Sequence, residues 1–164
     1  MRAVAVLLVL TAACGRSTGS ASTAAGTLVP VLKVTDGDTI HVEDQGHDER
    51  VRLIGVDTPE VPWYGGEGQC YGVEAARYTR DRLTGHSVRL VFDVDLRDHY
   101  GRLLAYVYVG NELFNLTLVK LGYATADPVP PDTRMASTFA ASEATARARA
   151  RGLWSACPTR SSGS

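Results

Sequence analysis

The residues best suited to chemistry are a few charged side chains placed among apolar ones. VRLIGVDTPE, Val51 to Glu60, carries Arg52 within a β-branched, apolar run and ends in two acids, Asp57 and Glu60, separated by Thr58-Pro59. An unpaired guanidinium inside an apolar strand is costly. Pro59 cannot donate to a β-ladder and holds Thr58 extended, so the acids sit on stiff backbone. A second arginine, Arg102, follows a Tyr-Gly turn just before the apolar run LLAYVYV. Asp38, in the turn Asp36-Gly37-Asp38, adds a third carboxylate. Guanidinium forks match phosphate oxygens. Hard carboxylate oxygens from Asp38 and Asp57 suit Ca²⁺ or Mg²⁺ rather than Zn²⁺, and Glu60 is left over to act on water. The set is what phosphodiester hydrolysis requires. Each member also has a structural reading: turn acids commonly cap backbone N–H groups, and Arg52 and Arg102 could be ion-paired to Asp57, Glu60 or Asp98. There is no EF-hand loop and no Cys/His spacing for zinc.

The elements that must position these groups follow from patterning. Leu28–Thr35, Thr39–Val42 and Val51–Val56 read as strands of a meander, with EDQGHDE (43–49) as a polar turn. VPWYGGEG (61–68) is a loop. Tyr71–Leu83 has helical periodicity with a stop at Gly85. Ser87–Phe92 and Leu103–Val109 read as strands on either side of a charged turn. Leu113–Leu121 reads as a short helix stopped by Gly122, DPVPPD (127–132) as a rigid loop, and the spacing from Met135 to Leu153 as an Ala-rich helix. Five short strands with a helix between the third and fourth predict an α+β fold: a five-stranded Greek-key OB-fold barrel with about three helices.

The chain has 164 residues and a net charge of −1, enough for one domain plus tails but without a global basic field. Proteins that hold nucleic acid nonspecifically are usually basic, so cations that meet a nucleic acid here must be concentrated locally. Residues 1–13 resemble a signal peptide: Arg2, an apolar stretch, then small residues before Cys14. The pattern is expected to give an exported protein anchored to the membrane by lipid on Cys14; ordinary secretory cleavage near Ala12-Ala13 is the alternative. Residues 14–27 read as a flexible tether, 28–157 as the folded domain and 158–164 as a disordered tail. With Cys14 lipidated, Cys70 and Cys157 remain as an even pair in an oxidising compartment. They are either a disulfide tying the chain end to its middle, on the order of 4 kcal/mol in the chain-entropy account, or two unpaired thiols.

The segments DGDTIHV, VRLIGVDTPE, YGVEAARYTRDRL and DHYGRLLAYVYV, in that order, resemble the thermonuclease family typified by staphylococcal nuclease. The resemblance runs from about Val29 to Cys157, down to the final GLWSAC. It implies calcium held by Asp38, Asp57 and the Thr58 carbonyl, with Asp36 beside them. It implies Glu60 as the base or the organiser of the attacking water, and Arg52 and Arg102 on phosphate. It places Tyr100 at the nucleotide, with Asp98 before it. The implied activity is endonucleolytic cleavage of DNA and RNA to 3′-phosphates. Two features depart from the family. The region Ala124–Pro131 lacks the aromatics on which nucleotide packs in the type member, for which Trp63 and Tyr64 are possible substitutes; and the chain is not basic. Among the histidines, His99 lies next to Tyr100 and could approach phosphate when charged, while His41, His47 and His86 read as solvated positions. A noncatalytic OB-fold lipoprotein that binds single strands is the alternative; it would have no need of Glu60. A structural or adhesion lipoprotein is a further one.

Overall fold

The computed structural model describes residues 26–62 and 67–157. The signal peptide, Cys14, most of the tether, Trp63, Tyr64 and the tail lie outside the described residues. The strands are β1 (Thr27–Val34), β2 (Thr39–Asp44), β3 (His47–Leu53), β4 (Val56–Asp57), β5 (Ser87–Val91), β6 (Leu103–Val109), β7 (Glu112–Leu113) and β8 (Thr125–Ala126). The helices are α1 (Gly72–Leu83), α2 (Phe114–Leu121), α3 (Ala136–Ala148) and α4 (Leu153–Ala156).

Five of the strands close a barrel. β1 pairs antiparallel with β2 through its second half and with β5 through its first. The register shift between Val31 and Lys33 lets one strand serve both partners, as bulges bend strands at barrel corners. β2 pairs with β3, and β5 with β6. Closure comes from β3 lying parallel to β6, with Val51 opposite Leu103, Arg52 opposite Leu104 and Leu53 opposite Ala105. This is the α+β, OB-type barrel that the strand order predicts.

Three local expectations are corrected. The polar stretch 43–49 is not all turn: β2 runs to Asp44 and β3 starts at His47, because a two-residue turn with Gln45 and Gly46 both at positive φ (52° and 84°) suffices for a hairpin. The strand Val51–Val56 is interrupted at Gly55, at φ 76°, where an added Cβ would lie 2.5 Å from the Phe139 ring; the short β4 then pairs with β8 instead of continuing β3. The last helix divides at Ala150 and Gly152, both at positive φ, giving α3 and the single turn α4.

Alternating inward residues of the strands form the core: Ile40, Val42, Val51, Leu53, Val88, Leu90, Ala105 and Val107 are almost fully buried. Phe114 and Leu118 of α2 and Phe139 of α3 cap it. Asn115 is the buried polar tie: Oδ1 accepts from Val107 N at 2.8 Å, and Nδ2 donates to the Ile54 carbonyl at 2.9 Å. It fixes α2 to β6 and to the turn after β3, where the charged groups emerge. Cys70 and Cys157 are joined in a disulfide, with Cα atoms 5.8 Å apart, linking the start of α1 to the end of α4.

Candidate active site

The site grows from the open ends of β2, β3 and β6. Thr39 pairs with Arg52 across β2 and β3, so the Asp36–Asp38 turn reaches the strand bearing Arg52. Asp38 is buried to 1% exposure, and the lone pairs of its carboxylate are filled. Oδ2 accepts from Thr58 N at 2.7 Å and Thr58 Oγ1 at 2.9 Å. Oδ1 accepts from Thr39 Oγ1 at 3.2 Å and, in a tight ion pair, from Arg52 Nη1. Burial pushes the Asp38 carboxyl up to about 7, with Arg52 opposing the rise and Asp36 adding to it. The turn is held from the far side by α1, where the buried Thr79 hydroxyl donates to the Gly37 carbonyl at 2.7 Å. An added Cβ on Gly37 would meet the Thr58 side chain at 2.7 Å, so only glycine lets the two segments come this close.

Arg52 joins the two carboxylates. Besides Asp38, it donates from Nη2 to Asp57 Oδ1 at 2.8 Å and to the Val56 carbonyl at 3.1 Å. Burial would lower its pKa, but the carboxylates outweigh that and raise it, so it stays charged. Three of its five N–H donors are used in this way, leaving two for a ligand.

Arg102 is held differently. Its Nε donates to Asp98 Oδ2 at 2.7 Å, while Asp98 Oδ1 accepts from Tyr100 N at 3.0 Å and Arg102 N at 2.9 Å. One carboxylate thus folds the turn and aims the guanidinium. Both terminal amino groups of Arg102 are without a hydrogen bond among the described residues, so the fork is available. Arg52 and Arg102 together line a cavity of about 240 Å³ whose wall is otherwise mostly apolar but also carries Asp98, Asp127 and Asp132. In register, Arg52 lies opposite Leu104 and Arg102 two residues before it, so both project from the same face of the sheet.

Glu60 is exposed, and its carboxylate has no partner among the described residues. Its backbone, by contrast, is fixed. Glu60 N donates to Gln69 Oε1 at 3.1 Å and Gln69 N donates to the Glu60 carbonyl at 2.8 Å. Gly72, at the start of α1, packs so closely that an added Cβ would lie 2.3 Å from that carbonyl. Tyr100 is 65% exposed, its ring met by the tilted His99 ring at 3.7 Å and reached by the Arg102 guanidinium at 5.4 Å.

The structure therefore brings Asp38, Arg52, Asp57 and Thr58 into one bonded cluster, places Arg102 on the cavity shared with Arg52, and puts Glu60 three residues beyond Asp57. The Thr58 side chain matters beyond its carbonyl, since its hydroxyl and N–H hold Asp38. Gln69 and Thr79 were not legible as site residues: a lone Gln after a glycine loop and a Thr inside a helix carry no motif. His41 is not solvated as expected; its ring is 13% exposed and Nδ1 lies 2.5 Å from Asp48.

The donor set fits a hard cation. It is oxygen only, and Asp36, Asp38 and Asp57 face a single guanidinium, leaving negative charge in excess; because the Asp38 lone pairs are filled, a cation bound to it would displace Arg52 or Thr58 from the carboxylate. Among the described residues no group of three or more His, Cys, Asp or Glu side chains is gathered for a metal.

A profile of the family described as "Staphylococcal nuclease homologue" matches residues 50–156. The chain belongs to this family. It is 43% identical over 124 residues to the protein named Thermonuclease of Staphylococcus intermedius, covering 76% of this chain and 74% of that one. It is 40% identical over 125 residues to the Thermonuclease of Staphylococcus hyicus, with the same coverage of each. With Endonuclease YncB of Bacillus subtilis (strain 168) it shares 38% identity over 129 residues, 77% of this chain and 61% of that one. The matched region of the family profile takes in Arg52, Asp57, Glu60 and Arg102 and stops short of Asp38.

Proposed function

We propose that the chain is a calcium-dependent endonuclease that hydrolyses phosphodiester bonds of DNA and RNA and leaves 3′-phosphates. Its being a nuclease rests on family membership and on the identity to thermonucleases and an endonuclease. The observation that carries the chemistry is Arg102, pinned at Nε while its fork stays open on the cavity that Arg52 also lines.

The roles follow from placement. Arg52 and Arg102 hold the nonbridging oxygens of the scissile phosphate and stabilise charge as it builds there. Glu60, with a free carboxylate on fixed backbone, acts on the attacking water as base or orienting group. The new bond runs from the water oxygen to phosphorus; the bond from phosphorus to the 5′-oxygen breaks, and that oxygen leaves with a proton from solvent. The phosphate stays on the 3′-oxygen of the preceding nucleotide. Asp38, Asp57 and the Thr58 carbonyl would hold calcium, which supplies positive charge to the phosphoryl oxygens when bound. Tyr100 offers an exposed ring to the nucleotide, and Val129 stands in the cavity wall where the type member has aromatics.

Plasmid and RNA incubated with the mature protein should both be cut with Ca²⁺ and left intact with chelator. The Glu60→Gln, Arg102→Ala double variant should be inactive, and cutting that persists in it removes the mechanism. Arg52→Ala and Arg102→Ala should each lose more rate than Tyr100→Phe. The sequence of residues 1–14 supports export and lipid anchoring at Cys14. Membrane-fraction activity that moves to the medium on Cys14→Ala would support it, and soluble wild-type activity would count against it.

A further inference from the structure

We propose that a row of cations across the barrel binds the phosphates of the nucleic-acid strand beyond the scissile one, forming a second subsite on the opposite side of Arg102 from the smaller cavity. This rests on the nuclease reading above and names where the rest of the polymer lies.

The row is set by strand register. Lys33 of β1 pairs with His41 of β2, and His41 pairs with Arg50 of β3. β3 then lies parallel to β6 with Val51 opposite Leu103; Arg50 and Arg102, each one residue before that pair, line the same cleft. Lys33, His41, Arg50 and Arg102 thus follow one another across four neighbouring strands on one face. Arg80 of α1 joins them from the side. These five residues, with Asp36 as the one acid, line an open cleft of about 820 Å³.

Such a row is unfavourable in the protein alone. Arg50 and Arg102 set like charges side by side, which repel, and the compensation is partial. Asp48 pairs with His41 at 2.5 Å and with Lys33 at 3.6 Å. Arg50 reaches only a backbone oxygen, Tyr100 O, at 3.4 Å. Neither Arg50 nor Arg80 has a carboxylate partner among the described residues. In a chain of net charge −1, this is the local concentration of cations that nucleic-acid binding needs. The cleft and the smaller cavity share Arg102 and otherwise have no lining residue in common. An endonuclease must let its substrate leave the scissile position in both directions. The smaller cavity is half apolar and suits one nucleotide's base and sugar; the cationic cleft suits backbone. Three strand spacings of roughly 4.8 Å each give about 14 Å from Arg102 to Lys33, room for more than one phosphate.

The test measures binding, so it does not depend on turnover. Fluorescence anisotropy with chelator present would compare a labelled thymidine dinucleotide with a thymidine octanucleotide, on the wild type and on Lys33→Ala/Arg50→Ala/Arg80→Ala. The wild type should bind the octanucleotide more tightly. The triple variant should lose roughly 10- to 100-fold of that affinity and change less than about twofold on the dinucleotide. The slope of log affinity against log salt should fall by about 2, from three lost contacts at roughly 0.7 each for a single strand. Arg80→Glu, an exposed substitution on α1, should weaken octanucleotide binding alone and guards against loss of fold in the triple variant. Equal octanucleotide affinity and slope in wild type and variants, equal losses on both ligands, or no gain with length in the wild type would overturn the inference. Failure of the nuclease reading shows separately, as absence of Ca²⁺-dependent cutting by the wild type.

Discussion

Asp98→Asn is the most informative single substitution, because one carboxylate both folds the Tyr100 turn and aims Arg102. Asn retains an acceptor for Tyr100 N and Arg102 N, now met at 3.0 and 2.9 Å. It sets an amide N–H₂ against Arg102 Nε in place of an oxygen at 2.7 Å. A hydrogen bond to a charged group contributes about 1.5–3 kcal/mol, and a freely exposed pair only about 0–1. Asp98 and Arg102 are 13% and 23% exposed, so a coupling of about 1–2 kcal/mol is expected from a double-mutant cycle with Arg102→Ala, read by urea unfolding without metal. The pH dependence has a definite sign. Burial alone would raise the Asp98 pKa, but the bonds from Arg102 and Tyr100 prevail and lower it. A group with a depressed folded pKa stabilises above its unfolded value, near 4, and loses that contribution as pH falls through the folded one. The gap between wild type and Asp98→Asn should therefore be full at neutral pH and close on acidification below about 4. In activity, Asp98→Asn should fall less than Arg102→Ala, since the guanidinium remains but is no longer aimed. A coupling below about 0.3 kcal/mol, or a stability gap that does not shrink on acidification below about 4, would refute the role assigned to the carboxylate.

Other predictions concern the neighbouring groups. Glu60→Gln should cut the rate by about 10²–10⁴ while leaving the urea midpoint unchanged, because its carboxylate is exposed and unpartnered; a matching loss of stability would point to a structural role. Thr58→Val keeps the volume but removes the hydroxyl from Asp38 Oδ2, now 2.9 Å away, and should destabilise by about 1.5–3 kcal/mol, with Thr58→Ser retaining most of that in the same unfolding assay. Reducing the Cys70–Cys157 disulfide, which spans 87 residues, should lower stability by about 2–4 kcal/mol, so the thermal midpoint of the reduced sample should fall below that of the non-reduced one.

Much of this was legible because the groups announce themselves locally. Arg52 inside an apolar run and two acids around a proline are conspicuous in one dimension, and alternation marks the strands that carry them. Asp98 was legible as one of three acids that could pair with Arg102, but not as the one that also folds the Tyr100 turn. The larger gap concerns charges that look ordinary in sequence. Arg50 and Arg80 sit in polar surroundings, where an arginine is expected, and Lys33, although inside the apolar run VLKV, takes an outward position of a strand, where a lysine is equally ordinary. Their alignment exists only in the register of β1, β2 and β3 and in the packing of α1 against β1, which no spacing along the chain encodes. The bounds of β3 were misplaced for a related reason: Gly55 reads as a tolerated glycine in a strand until the Phe139 ring from α3 is seen against it.

The parallel pairing of β3 with β6 is where fold and chemistry meet. Arg52 and Arg102 come from distant parts of the chain, and no local contact places them together. They meet because Arg52 lies opposite Leu104 in that pairing, and because Asn115 clamps the same strands by bonding Val107 N and the Ile54 carbonyl. A slip of one residue between β3 and β6 would turn every side chain of the slipped strand to the other face. It would bury Arg102 against the core and expose Leu103, which is 4% exposed. The hydrophobic cost of that slip therefore protects the alignment of Arg52 with Arg102 as well as the core. Stability at Leu103, Ala105 and Asn115 and alignment of the two guanidiniums are consequences of the same pairing.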